Sequence, residues 1–201
     1  MKKTIILLIC AAAALSIAAC SKQEADKTSG EAKEASIDAT SKTTWTYYSL
    51  VDAKIAGTGE ETEADNGAWA ARTDWDIAVC RYNVRTNSGA ATSVGAKGGV
   101  YVSSESFDAL KKLPEGIKFE EDVVVTSTGM GGTTSVVQST ATVIEFQRNE
   151  DGSMVMPPVY LKAPVYIFRS ADGKKCFKLE FTQYQDENKE SGHVKFRFAL
   201  L

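Results

Sequence analysis

The sequence predicts an all-β protein, an antiparallel sandwich or barrel with one short helix. Three observations carry this. Apolar and polar residues alternate with period two from residue 43 onward, glycine- and hydroxyl-rich stretches separate the alternating runs, and one tight hairpin is written out in full. In "KCFKLEFTQY" Phe177, Leu179 and Phe181 share one face against Lys178, Glu180 and Thr182. In "HVKFRFAL" Val194, Phe196, Phe198 and Leu200 do the same against Lys195 and Arg197.

The elements follow in order. Strands are expected at 44–51, 74–82, 99–103, 122–127, 140–147 and 158–162. "PVYIFRSADGKKCFKLEF" then joins two strands through Ala171-Asp172-Gly173, a tight-turn sequence. The helix is expected in "SSESFDALKKL", with a serine cap, Phe107, Ala109 and Leu110 at helical spacing, and Pro114 and Gly116 to stop it. The stretches 86–100, 128–139 and 148–157 read as loops.

The chain divides into three parts. Residues 1–19 have a basic start (Lys2, Lys3), an apolar run of signal-peptide length and small residues ahead of Cys20. The "IAAC" ending matches a bacterial lipobox, which makes Cys20 the expected lipidation site and the new N-terminus. Residues 20–42 carry almost nothing large and apolar, so they are expected to be a flexible tether without secondary structure. As a coil, the 22 residues after Cys20 span roughly 25 Å. Residues 43–201 are expected to form one domain.

Charge and cysteine usage narrow the function classes. The 23 basic residues lose Lys2 and Lys3 with the leader, so 21 face 26 acidic ones and the net charge is about −5. No basic patch for nucleic acid is present. Cys80 and Cys176 lie in strand-like runs, where a disulfide and two buried thiols are both open readings. No Cys/His spacing supports a zinc site. His193 is the sole histidine, and no acid–base pair is legible around it, so no catalytic residue is assigned and the chain is not read as an enzyme.

The methionines stand out instead. Met130 sits inside "STGMGGTTS", where neighbouring glycines offer nothing to pack, and Met154 and Met156 sit in "EDGSMVMPPVY". A thioether is a soft, neutral donor suited to Cu(I) or haem iron, and two on opposed loops could close on a flat cofactor. Methionine also commonly seals loops onto a core. The residues alone leave open a haem carrier, a Cu(I) carrier and a structural or adhesive surface lipoprotein.

"TDWDIAVCRYNVRTNSG" (73–89) followed by "GGVYV" (98–102) resembles the signature segment of the HmuY-type haem-binding lipoproteins of Bacteroidota. The lipobox, the polar tether and the β pattern fit as well. By physics alone the segment is a central strand with Trp75, Ile77 and Val79 facing a core. The resemblance implies a hemophore-like carrier of haem (iron protoporphyrin IX), held by two axial ligands from separate loops. These are histidines in one member and methionines in relatives. It implies Met130 and Met156 as the ligands here, with Met154 the alternative. Met156 is preferred because it abuts Pro157-Pro158, which fixes the backbone, and because its separation from Met130 suits the methionine-ligated relatives. The resemblance further implies a lipid-anchored place at the outer membrane, exposed at the cell surface or released in soluble form. Its partners would be a TonB-dependent outer-membrane haem receptor and host or microbial haemoproteins as donors.

Overall fold

The computed structural model describes residues 30–129 and 132–201. Two antiparallel sheets pack face to face. The first runs β3 (Lys54–Glu60), β2 (Thr44–Ser49), β4 (Ile77–Cys80), β5 (Asn83–Thr86). The second runs β1 (Lys33–Asp38), β13 (Ser191–Leu200), β12 (Cys176–Gln185), β11 (Val165–Arg169), β6 (Gly99–Ser103). Tyr48, Ile77, Val79 and Val84 from the first meet Tyr166, Phe168, Leu179, Phe181, Phe196 and Phe198 from the second in the main core. The predicted class, antiparallel all-β, holds. The β11–β12 hairpin turns at Ser170–Gly173, where the Gly173 amide donates to the Ser170 carbonyl at 2.8 Å.

Each sheet is also covered on its outer face. Trp45, Tyr47, Trp75, Ala78 and Cys80 form a second cluster beneath α1 (Glu63–Ala70), whose one buried side chain is Trp69. Trp69 stacks on Tyr47 with ring centroids 3.8 Å apart. Gly59 lets it lie so close, because a Cβ there would stand 2.5 Å from the Trp69 indole nitrogen. On the other side Phe107 and Leu110 seal Val165, Ile167 and Ala199 of the second sheet.

Several expectations need correction. The helix is not at 103–113, where the chain makes only a turn. The buried Lys178 ammonium bonds the carbonyls of Phe107 (2.8 Å) and Leu110 (2.7 Å), which a longer helix would need for its own amides. The helix is α1, capped by the Thr62 hydroxyl, which accepts from the Asp65 amide. The tether reading fails from Gly30 on, since β1 pairs with β13 along its length and Ile37 reaches the main core. Trp75 does not share a face with Ile77 and Val79; it precedes β4 and joins the outer cluster. The supposed loop 128–139 belongs to a hairpin of β7 (Val123–Gly129) and β8 (Gly132–Gln138). Its hydroxyls pair across the strands, Thr126 with Ser135 at 2.8 Å and Thr128 with Thr133 at 3.1 Å. Cys80 and Cys176 are free thiols, Cys80 buried enough to push its pKa up to about 11. Cys20 lies outside the described residues. Among the described residues no helix is long and apolar enough to cross a membrane.

Candidate functional site

The two methionine-bearing segments flank one anchored stretch, 139–143. The Ser139 amide and hydroxyl both donate to the Val84 carbonyl, at 2.9 and 2.8 Å, and the Val143 amide donates to that of Tyr82. Before this stretch comes β8. After it comes β9 (Ile144–Phe146), paired with β10 (Tyr160–Lys162), with residues 147–159 folded between them. Both two-stranded units stand outside the main sheets.

The β7–β8 hairpin is rooted at its base. The Arg85 guanidinium, buried over the Trp45 ring at 3.8 Å, donates to the Val137 carbonyl at 2.6 Å. It also bonds Glu61 (2.6 Å) and Asn66 (2.8 Å), tying the hairpin to α1 and its entry. At the other strand's base Asp122 is buried, and its carboxylate accepts from the Thr86 amide and hydroxyl. Burial pushes the Asp122 pKa up to about 7, against the lowering effect of those hydrogen bonds. At this root the hairpin also turns apolar side chains to solvent: Val123, Val124 and Val125 are all exposed.

Of the predicted ligands, Met130 lies outside the described residues, between the paired Gly129 and Gly132. Met156 is 74 % exposed, the most exposed large apolar side chain among the described residues. Met154 is half-buried and bridges to Arg148 across the turn, so its backbone is committed where that of Met156 is not. Val159, Tyr160 and Leu161, which follow Met156, are exposed too. Beside them a 390 Å³ cleft is walled by Ile144, Tyr160, Leu161, Phe181 and Tyr184. Tyr160 meets Phe146 and Tyr184 edge-on at 5.6 and 5.4 Å. Tyr166 is core, its hydroxyl accepting from the Thr142 amide at 3.1 Å. Exposed apolar strands and a free thioether suit a flat apolar ligand carrying a soft metal. A 630 Å³ cavity lies elsewhere, lined by Asp186 and His193 among others.

The signature segment proves to be scaffold. Asp76 is buried and accepts from the amides of Leu50 (2.7 Å), Val51 (3.2 Å) and Ala171 (2.9 Å), stapling one sheet to the β11–β12 turn of the other. Burial raises its pKa. The Asn87 side chain donates to the carbonyls of Arg72 and Trp75, and the Asn87 carbonyl accepts from the Gly98 amide. The exposure of the β7 valines had no signal in the sequence, although "DVVVTST" is an unusually apolar opening for so polar a hairpin.

Comparison with known proteins agrees with this architecture. No curated protein matches the chain. An HmuY-like protein from Bacteroides vulgatus, described as haem-binding, shares 24 % identity over 83 % of this chain and 90 % of its own, with a TM-score of 0.58. The apo form of an HmuY analogue from Tannerella forsythia shares 23 % over 86 % and 97 %, TM-score 0.59. A Bacteroides fragilis lipoprotein shares 22 % over 87 % and 90 %, TM-score 0.58. At these identities the likeness is one of fold. The family model for the HmuY protein matches residues 41–198, nearly the whole described domain, and the chain belongs to the HmuY family.

Proposed function

We propose that this protein is a surface lipoprotein that captures haem between the β7–β8 hairpin and the 147–162 segment, using the sulfurs of Met130 and Met156 as axial ligands. The HmuY family is not enzymatic, so the chain is a binding protein. The observation that carries the reading is the Met156 thioether, left 74 % exposed beside an apolar strand in a family whose solved relatives include one described as haem-binding. An unpacked methionine contributes nothing to the core, and a packing role is therefore the weaker account of it. Haem would supply the iron and the flat apolar face. The chain's own residues would supply two neutral donors, the exposed valines and Tyr160 as apolar walls, and the Thr126–Thr128 hydroxyls as polar contacts.

Lipidation at Cys20 would anchor the protein at the outer membrane, and a TonB-dependent receptor would receive the haem. Haemoproteins of host or neighbouring microbes would be the donors. Neutral thioether donors favour the electron-rich metal, so ferrous haem should bind more tightly than ferric haem. The test is a visible-range haem titration with and without dithionite on the wild type and on Met130→Ala, Met156→Ala and Met154→Ala. The first two should each weaken binding by more than ~10-fold, about 1.4 kcal/mol, and the third by less. Wild-type spectra in both ligand variants would remove the thioethers from the iron. Loss in Met154→Ala with none in Met156→Ala would exchange the two neighbours.

A further inference from the structure

The β12–β13 turn holds a second constellation, remote in sequence from both methionine loops. Asp186 leaves the end of β12, Glu190 lies in the turn, and His193 lies on β13. The turn is tied internally. The Asp186 amide donates to the Glu190 carbonyl at 3.0 Å, the Glu190 amide to Asp186 Oδ1 at 2.7 Å, and the Lys189 amide to the Asp186 carbonyl at 3.1 Å. These bonds fix the Asp186 carboxylate.

Two features single the group out. One oxygen or nitrogen from each of Asp186, Glu190 and His193 falls within 4.8 Å of the others. His193 Nε2 stands 3.6 Å from a Glu190 oxygen and 4.0 Å from Asp186 Oδ2, too far for hydrogen bonds. Donors bound tetrahedrally at zinc distances are about 3.4 Å apart, so a small contraction of the turn would bring all three onto one ion. The second feature is the nitrogen itself. Although the ring is partly exposed, His193 Nε2 is shut off from solvent and has no hydrogen-bond partner. A shielded ring nitrogen facing two carboxylates completes a three-donor set.

We propose that Asp186, Glu190 and His193 form a three-donor site for a divalent cation of the zinc class, with a fourth position open to the 630 Å³ cavity that Asp186 and His193 line. One imidazole and two carboxylates make a borderline donor set that suits Zn²⁺ over Ca²⁺, which takes six or more oxygens. The Asn188 side-chain Nδ2 donates to Asp186 Oδ2 at 3.3 Å and would orient that ligand from outside the coordination sphere. The sequence hides the site because its spacing, D-x₃-E-x₂-H across a strand turn, matches no metal motif.

The test uses the purified protein and Zn²⁺ alone, read by calorimetry and by the thermal midpoint. Wild type should bind one Zn²⁺ and gain thermal stability. His193→Gln and Glu190→Gln should each lower the affinity by at least ~10-fold, since even an outer-shell change costs that much. Cys176→Ser should bind as the wild type does. No zinc binding by the wild type would make the group a simple ion-pair cluster and overturn the proposal. So would zinc binding that His193→Gln leaves intact, or Ca²⁺ binding as tightly. Haem binding lost in His193→Gln would assign the imidazole to haem iron and likewise overturn it.

Discussion

The 72–88 segment and the β7–β8 hairpin are built on opposite plans. In the first, polar side chains are buried and bonded: Asp76 holds three backbone amides, Arg85 holds Val137, Asn66 and Glu61, and Asn87 holds two carbonyls. In the hairpin, Val123, Val124 and Val125 face water and the hydroxyls pair with each other across the strands. A buried polar network specifies one structure at high cost to alter. A two-stranded arm is marginal alone, holds its shape through its root, and keeps apolar surface free. The segment that identifies the family is thus its scaffold, and the arm is where the proposed ligand would be received.

Three measurements can break or sharpen that contrast. The largest effect belongs to Asp76→Ala. It leaves the amides of Leu50, Val51 and Ala171 without their acceptor, and it should cost about 3–5 kcal/mol by urea denaturation. A cost under about 1 kcal/mol would show that the staple is incidental.

Asp122 lies where the two plans meet, at the foot of β7. Its pKa, about 7 when folded, stands above its ordinary value of 3.8. The folded state therefore holds the proton more tightly than the unfolded chain. This contribution to stability is complete below about pH 4 and is lost as pH rises through 7. From pH 5 to pH 8 the wild type should lose about 2–3 kcal/mol more than Asp122→Asn does. Urea midpoints at the two pH values check this, and parallel pH profiles would show that the carboxyl titrates normally.

The smallest effect on stability is expected from Met156→Ala. With the side chain 74 % exposed, the change should fall within about 0.5 kcal/mol while haem binding drops. A loss of several kcal/mol would mean that the thioether packs after all.

What could be read from the sequence was local. Alternation along 176–185 and 191–200, the Ser170–Gly173 turn and the family's signature all show themselves within a few residues, because a strand's period and a tight turn's chemistry are short-range properties. Met156 was legible as a candidate for the same reason, being an apolar residue in a segment with no periodicity to bury it.

The tertiary structure decided whatever depends on a distant partner. Residues 33–38 are polar enough to read as tether, yet β13 offers them an open edge and Ile37 a core. "SSESFDALKKL" has helical spacing, but Lys178, some seventy residues on, takes the carbonyls a helix would use. The β8 run of serine and threonine became a strand only because β7 presents matching hydroxyls across from it. His193 looked isolated until the β12–β13 turn brought two carboxylates to it. In each case the free energy lies in a contact between residues that the sequence alone does not place side by side.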